Sequence, residues 1–260
     1  MSGPPRARPT GGALQWPVPA PRSSAWPRWP QPSSPPASPA PKAETSTITV
    51  IHGIPGNDIG LNNALSVDVE VNGACALTGF VYQEISPRLE LPAGTYDIAV
   101  KLSDGNCGGP TAIDAPGVAV PGGINATIIA HLDGDGAPTA SVFVNNLSPV
   151  ADGQARVAVH HVATAPTVDI DVFPSSDGAW GRIGWPSHPA LEIDDVANPD
   201  QAVADVPATD FVVDISPAGA YNPVYSMPVN LEEDTYYAVY AVGNLAKGGF
   251  ALLVDAQPLS

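Results

Sequence analysis

From residue 46 to its end, the chain consists of short β-strand patterns separated by turns, which limits it to an all-β fold. Val67–Val71 alternates apolar and acidic residues and ends at Asn72-Gly73, a dipeptide typical of a hairpin turn. Leu89–Leu91 leads into a Pro-Ala-Gly turn, and Thr95–Val100 then gives another strand pattern.

The same order of elements recurs about 108 residues later, which predicts a tandem duplication. The matched segments are Thr49–His52 with Val157–His160, Val67–Val71 with Val168–Val172, Leu91–Ala93 with Val206–Ala208, Thr127–Leu132 with Thr235–Tyr240, and Ala140–Val144 with Phe250–Val254. Each copy has the size and strand number of an immunoglobulin-like antiparallel β-sandwich. The predicted domains are residues 46–149 and 154–260, and each is large enough to fold alone.

Residues 1–45 differ from the rest in composition. They hold 13 of the 31 prolines and carry a net charge of about +4, against about −20 for the remaining residues. Proline lacks the backbone donor and fixes φ, so we predict a disordered, extended segment. This segment is either a spacer or a docking site for a partner that reads Pro-rich chains.

The strand motifs resemble a known bacterial family. A strand ending in His, then a Val-Asp-Val-x-Val strand, then Leu-Pro-Ala-Gly-Thr-Tyr is similar to the family catalogued as domain of unknown function 4397. Ile51-His52, Val67–Val71 and Leu91–Tyr96 carry the resemblance in the first copy. In the second copy it is carried by Val159-His160, Val168–Val172 and Val206–Ala208, with a departure at Thr209-Asp210, so that it covers about residues 46–260. The resemblance implies an exported β-sandwich domain, and it assigns no catalytic residue.

Composition excludes several classes of protein. The net charge of −16 argues against nucleic-acid binding, which needs clustered Lys and Arg. No apolar run is long enough to insert into a membrane, and residues 1–45 contain no secretory signal pattern. Nucleophile, phosphate-loop and zinc-protease motifs are missing, so we expect no enzyme, no cofactor and no metal site.

Cys75 and Cys107 are the two cysteines of the chain, and both belong to the first copy near turns. They are predicted to form a disulfide, because such bridges belong to small extracellular β-domains. The alternative is two free buried thiols in a cytosolic protein. Together with the resemblance, the cysteine pair predicts an extracellular or cell-surface location.

The second copy contains an insertion between Val172 and Val206 that carries Trp180, Trp185, Asp194 and Asp195. Tryptophans on a Gly-rich loop can stack on a sugar or contact a partner, and aspartates can accept hydrogen bonds from hydroxyls. The alternative is that both rings are buried against the sandwich edge.

Two further sets of residues recur in both copies. His52 and His160 are placed at equivalent positions, which favours a structural role over metal binding. Asp68 and Asp169, with Glu70 and Asp171, are predicted to lie on exposed strand faces as solvated carboxylates.

The sequence therefore favours a non-enzymatic, exported or cell-surface protein with a structural, adhesive or binding role. The sequence does not identify its partner, for which a cell-surface protein and a glycan are the candidates. The alternatives are a carbohydrate- or calcium-binding module that uses the insertion loop and, less favoured, a hydrolase.

Overall fold

The computed structural model describes residues 44–62, 65–175, 189, 191–220 and 222–260. The predicted Pro-rich segment 1–45 lies almost wholly outside these residues. The described chain is all-β, with one short 3-10 turn at Gly56–Ile59. Its strands are β1 (Thr45–His52), β2 (Ser66–Val71), β3 (Ala74–Val81), β4 (Leu89–Pro92), β5 (Gly94–Leu102), β6 (Thr111–Val120), β7 (Asn125–Leu132), β8 (Pro138–Asn145), β9 (Gln154–His161), β10 (Val168–Pro174), β11 (Leu191–Val196), β12 (Gln201–Pro207), β13 (Asp210–Pro217), β14 (Tyr225–Asn230), β15 (Thr235–Val242) and β16 (Ala251–Pro258).

The strands form four sheets, paired into two sandwiches, and this confirms the predicted fold class. In the first sandwich the strand orders are β4-β1-β7-β8 and β3-β2-β5-β6. In the second they are β12-β9-β15-β16 and β11-β10-β13-β14, so both sandwiches have the same topology. Each contains one parallel pair, β1 with β7 and β9 with β15, among otherwise antiparallel neighbours.

Each sandwich has an apolar interior formed by residues that alternate along the strands. Ile48, Val69 and Ile98 belong to the interior of the first sandwich. Ile170 and Ile215 belong to that of the second. This period-two burial is what the sequence pattern of β2 and β10 predicts.

The two sandwiches also share a third apolar core. It combines Ile51, Ile129 and Phe143 of the first sandwich with Tyr236 and Tyr240 of the second. These side chains come from sheets β4-β1-β7-β8 and β12-β9-β15-β16, which therefore pack face to face in the middle of the molecule. The described residues belong to one compact unit in which these two middle sheets are covered on both faces.

The residue types of the middle strands explain this arrangement. β7 (Asn125–Leu132) is buried at every position after its first residue, so its burial is continuous rather than alternating. β9 (Gln154–His161) is likewise buried almost throughout. Continuous burial is typical of strands covered on both faces.

Candidate functional site

The structure contains the predicted Cys75–Cys107 disulfide, whose Cα atoms are 5.7 Å apart. Cys75 lies at the start of β3, and Cys107 lies in the loop between β5 and β6. The bridge closes a loop with a sequence separation of 32, which stabilises the fold by about 3–4 kcal/mol on the chain-entropy account.

The carboxylate of Asp68 holds the same loop in place through hydrogen bonds. It is fully buried, and its carboxylate accepts backbone N–H bonds from Gly79 (2.8 Å) and Cys107 (3.0 Å). Further bonds come from the N–H of Gly105 at 3.1 Å and from the hydroxyl of Ser103. Burial raises the pKa of Asp68, but the hydrogen bonds from Ser103 and the loop amides outweigh it, and the net pKa lies well below the usual range.

The prediction that Asp68 is exposed was therefore wrong. The pairing of β2 with β3 changes register between Val67 and Val69, and Gly79 at φ 65° turns its N–H toward the carboxylate. The loop after β5 then closes over the outer face of β2. Period-two reasoning fails here because a loop, rather than solvent, covers that face.

Asp169 occupies the corresponding place in the second sandwich. Its carboxylate accepts the N–H of Asp195 at 3.0 Å and the N–H of Gly219 at 2.8 Å. β10 shows the same register change against β11, between Val168 and Ile170. Asp68 and Asp169 are thus equivalent anchors for a strand irregularity and a following loop, although Asp169 is half-buried.

Of the predicted ligand-binding loop, only residues 173–175, 189 and 191–205 are described. Trp180 and Trp185 lie outside the described residues. Asp194 and Asp195 are exposed on β11, and Asp195 adopts φ 57° at the irregularity anchored by Asp169. The ligand-binding role of these four residues stays a prediction.

The four histidines within the described residues, His52, His131, His160 and His161, are all buried. Register places His52 opposite Ala130 and His161 opposite Ala241. The N–H of His52 donates to Glu84, and that of His161 to Asp200, both on backbone oxygens. The equivalent of His52 is therefore His161, and the predicted pairing of His52 with His160 was displaced by one residue.

His160 lies in the core shared by the sandwiches. Its ring stacks on Tyr240 at 4.4 Å and contacts Phe143 at 4.3 Å between centroids. Neither ring nitrogen has a hydrogen-bond partner among the described residues. Burial lowers the pKa of His160 to about 4, and burial lowers that of His52 to about 4 as well. Both rings are neutral at pH 7. Within the described ranges, no group of three or more His, Cys, Asp or Glu could hold a metal ion.

A polar cavity of about 230 Å³ lies where the 3-10 turn meets the β15–β16 connection. Asp58, only 2% exposed, accepts the N–H of Asn244 at 2.7 Å. The ammonium group of Lys247 donates a hydrogen bond to the backbone oxygen of Asp58. The Tyr82 hydroxyl donates to the backbone oxygen of Gly249 at 2.9 Å. Sequence reasoning missed Asp58, because nothing distinguishes it from an ordinary turn residue.

An apolar cavity of about 280 Å³ lies between the two sheets of the second sandwich. Ile170, Val213 and Val239 are among the aliphatic side chains that line it. Met227 of β14 and Val254 of β16 also line it, and Val254 is 45% exposed, so the cavity reaches this edge. In the first sandwich the corresponding strands β6 and β8 contact each other, whereas β14 and β16 approach less closely. Sequence patterning identifies such inward valines as core but does not reveal a space between them.

Fold and site together define a class: an all-β protein of two stacked β-sandwiches with one disulfide. The described part of the chain contains no helix with the length and apolar character needed to span a membrane. Residues 46–171 match the model of the family described as "Domain of unknown function (DUF4397)", which confirms the resemblance over these residues. The match covers the first sandwich, β9 and the beginning of β10.

Solved structures give only loose superpositions. The Bacillus anthracis TIE protein is 9% identical with a TM-score of 0.24; the match covers 76% of this chain, which spans 33% of the TIE protein. A carbohydrate-binding module of Eubacterium rectale Amy13K, in complex with maltoheptaose, is 12% identical with a TM-score of 0.23 and coverages of 80% and 95%. A putative cell adhesion protein from Bacteroides ovatus is 11% identical with a TM-score of 0.25 and coverages of 84% and 99%. Superpositions this loose carry no functional argument. No curated protein matches the sequence.

Proposed function

We propose that this chain is a non-enzymatic β-sandwich protein that is exported, acts outside the cell or at its surface, and has a structural, adhesive or binding role. The observation that carries the proposal is the Cys75–Cys107 disulfide. Disulfides persist in oxidising compartments and are reduced in the cytosol of most bacteria. The buried environment of Cys107, whose N–H is held by Asp68, ties the bridge to the fold itself.

The use of charged groups supports a non-enzymatic role. Arg156 forms a bidentate pair with Asp205 across β9 and β12, with contacts of 2.7 and 2.9 Å. Lys101 pairs with Glu70 at 2.7 Å across β5 and β2. Asp68 and Asp169 are occupied by backbone donors. These groups join strands and loops, which is a structural use of charge.

The tandem duplication predicted from sequence supports the same proposal. The two copies have the same strand order. They also share an aspartate that accepts backbone hydrogen bonds at equivalent positions, Asp68 and Asp169. A repeated fold requirement suits a surface or binding protein built from modules.

Thiol state and location test the proposal together. Native cells are fractionated, and the protein is alkylated under denaturing conditions with and without prior reduction, then weighed intact. We expect the protein in the envelope or the medium, with alkylation of Cys75 and Cys107 only after reduction. Protein confined to the cytoplasm with two alkylatable thiols would overturn the proposal.

A further inference from the structure

The cavity of the second sandwich has walls suited to an apolar ligand. Its lining comes from aliphatic side chains of both sheets, and its few polar side chains are Asn230 and Tyr237. The Tyr237 hydroxyl already accepts the N–H of Glu232 at 3.0 Å. The side-chain nitrogen of Asn230 donates to Asp210 at 2.6 Å. An occupant of the interior therefore meets mainly methyl and methylene groups.

The volume of the cavity limits the size of the ligand that it can hold. An aliphatic cavity of about 150 Å³ in a protein interior stays dry and accepts a benzene-sized guest. At about 280 Å³, this cavity has room for roughly twice that guest. The space lies between two sheets, so a slender chain fits it better than a fused ring system.

The charges of the protein restrict the polar head group that an alkyl ligand of this cavity can carry. The cavity lining contains no Lys, Arg or His, and the whole chain has a net charge of −16. A carboxylate or phosphate at the mouth would find no cation among the described lining residues, and the net negative charge of the chain would oppose its binding. We propose that the cavity of the second sandwich binds an uncharged alkyl chain, such as that of an alcohol or an ester.

This inference rests on the binding role proposed above, although the two fail separately. The location and thiol state of the protein test the proposed export, whereas a ligand titration tests the proposed role of the cavity. The site is specific to the second sandwich, because β14 and β16 leave open the edge that β6 and β8 close in the first.

The test is a calorimetric titration of the purified full-length chain with 1-alkanols from hexanol to dodecanol. Each added methylene is expected to lower Kd about fourfold until the cavity is full, after which Kd levels off. Decanoate is expected to bind at least tenfold more weakly than decanol. Sedimentation with phosphatidylcholine vesicles then distinguishes a membrane-borne alkyl chain from a free one.

Val213→Phe and Val212→Phe are the matched variants. Val213 lines the cavity, whereas Val212 is its neighbour on β13 and faces the other side of the sheet. Val213→Phe should fill the space and weaken decanol binding at least tenfold, while Val212→Phe should leave Kd unchanged. Circular dichroism confirms that both variants fold. The proposal is overturned if no alkanol binds, if Kd does not change with chain length, or if folded Val213→Phe binds decanol with the same Kd as the wild type.

Discussion

Asp68 shows how one residue can organise a loop, a strand irregularity and a disulfide together. Its carboxylate holds Gly79 on one side and Cys107 on the other. Charge-assisted bonds to backbone amides are about twice as strong as neutral ones, and a buried carboxylate without them would be costly. The aspartate is therefore part of the fold of the first sandwich rather than a surface charge.

Asp68→Asn and Asp169→Asn form a matched pair. Asparagine keeps one acceptor oxygen but turns an amino group toward backbone donors. We expect Asp68→Asn to lower the free energy of unfolding by about 3 kcal/mol and the half-exposed Asp169→Asn by about 1 kcal/mol. Urea unfolding at pH 7 measures both. Equal costs would show that the number of hydrogen bonds and the burial do not determine the role of these residues.

His160 makes stability depend on pH. Its folded pKa of about 4 lies below the unfolded value of 6.5, so the folded state binds its proton less readily. Stability from this group is complete above pH 6.5 and is lost as the pH falls from 6.5 to 4. We expect its contribution to fall by about 2 kcal/mol between pH 7.5 and pH 5.

His160→Phe keeps an aromatic ring against Tyr240 and Phe143 but cannot be protonated. Urea unfolding at pH 7.5 should give a stability equal to or above that of the wild type. At pH 5 the variant should retain about 2 kcal/mol more than the wild type. Parallel pH profiles for the two proteins would refute the assignment.

At the scale of elements, sequence patterning identifies the regular strands and misses the irregular ones. Val67–Val71 and Val168–Val172 alternate and are found as β2 and β10. Thr127–Leu132 and Ala140–Val144, matched above to segments of the second copy, are found as the paired strands β7 and β8. β3 and β6 were not identified, because β3 is mostly exposed and contains Gly79, and β6 contains Pro116-Gly117. Their pairing depends on tertiary neighbours rather than on intrinsic preference.

The candidate sites likewise divide into one that could be predicted from the sequence and several that could not. The disulfide could be predicted from two cysteines in one β-domain. The buried state of Asp68, the core around His160 and the polar cavity at Asp58 depend on which loops and sheets come together, and local periodicity does not encode that. The apolar triplets at 128–130 in β7 and 157–159 in β9, which do not alternate with polar residues, were the available signal for the shared core.

The β15–β16 connection packs tightly on the 3-10 turn of the first sandwich. A Cβ at Gly249 would lie 2.2 Å from an Asp58 carboxylate oxygen. We expect Gly249→Ala to lower the free energy of unfolding by about 1–3 kcal/mol through overpacking. Gly134, at the tip of the β7–β8 hairpin, has open space around it, and Gly134→Ala should change stability by less than about 0.5 kcal/mol. Thermal unfolding of both variants is the measurement, and a neutral Gly249→Ala would contradict the contact.

At the scale of the whole molecule, the shared core alters the expectation of two independent domains. The bounds 46–149 and 154–260 stay a prediction. Polar contacts also cross the interface: Asn125 donates to Gln257 at 2.9 Å, and Tyr236 donates to Asn145 at 3.1 Å. Each half alone would expose the apolar outer face of a middle sheet.

We therefore expect residues 46–149 and 154–260, expressed separately, to be less stable than the full chain and to associate when mixed. Size-exclusion chromatography and urea unfolding of each half, of the mixture and of residues 46–260 measure this. Two monomeric halves, each as stable as the intact protein and without affinity for each other, would restore the model of independent domains.

The position of β1 has a mechanical consequence. This first strand lies inside its sheet, between β4 and the parallel β7, which it pairs along residues 47–52. A pull on the chain before residue 45, directed along the strand, loads those backbone hydrogen bonds in shear, so they must break together rather than one after another. A tether attached through the N-terminal segment would therefore transmit tension into the most buried layers of the molecule. The first copy would resist extraction of β1 until most of its sheet yielded at once.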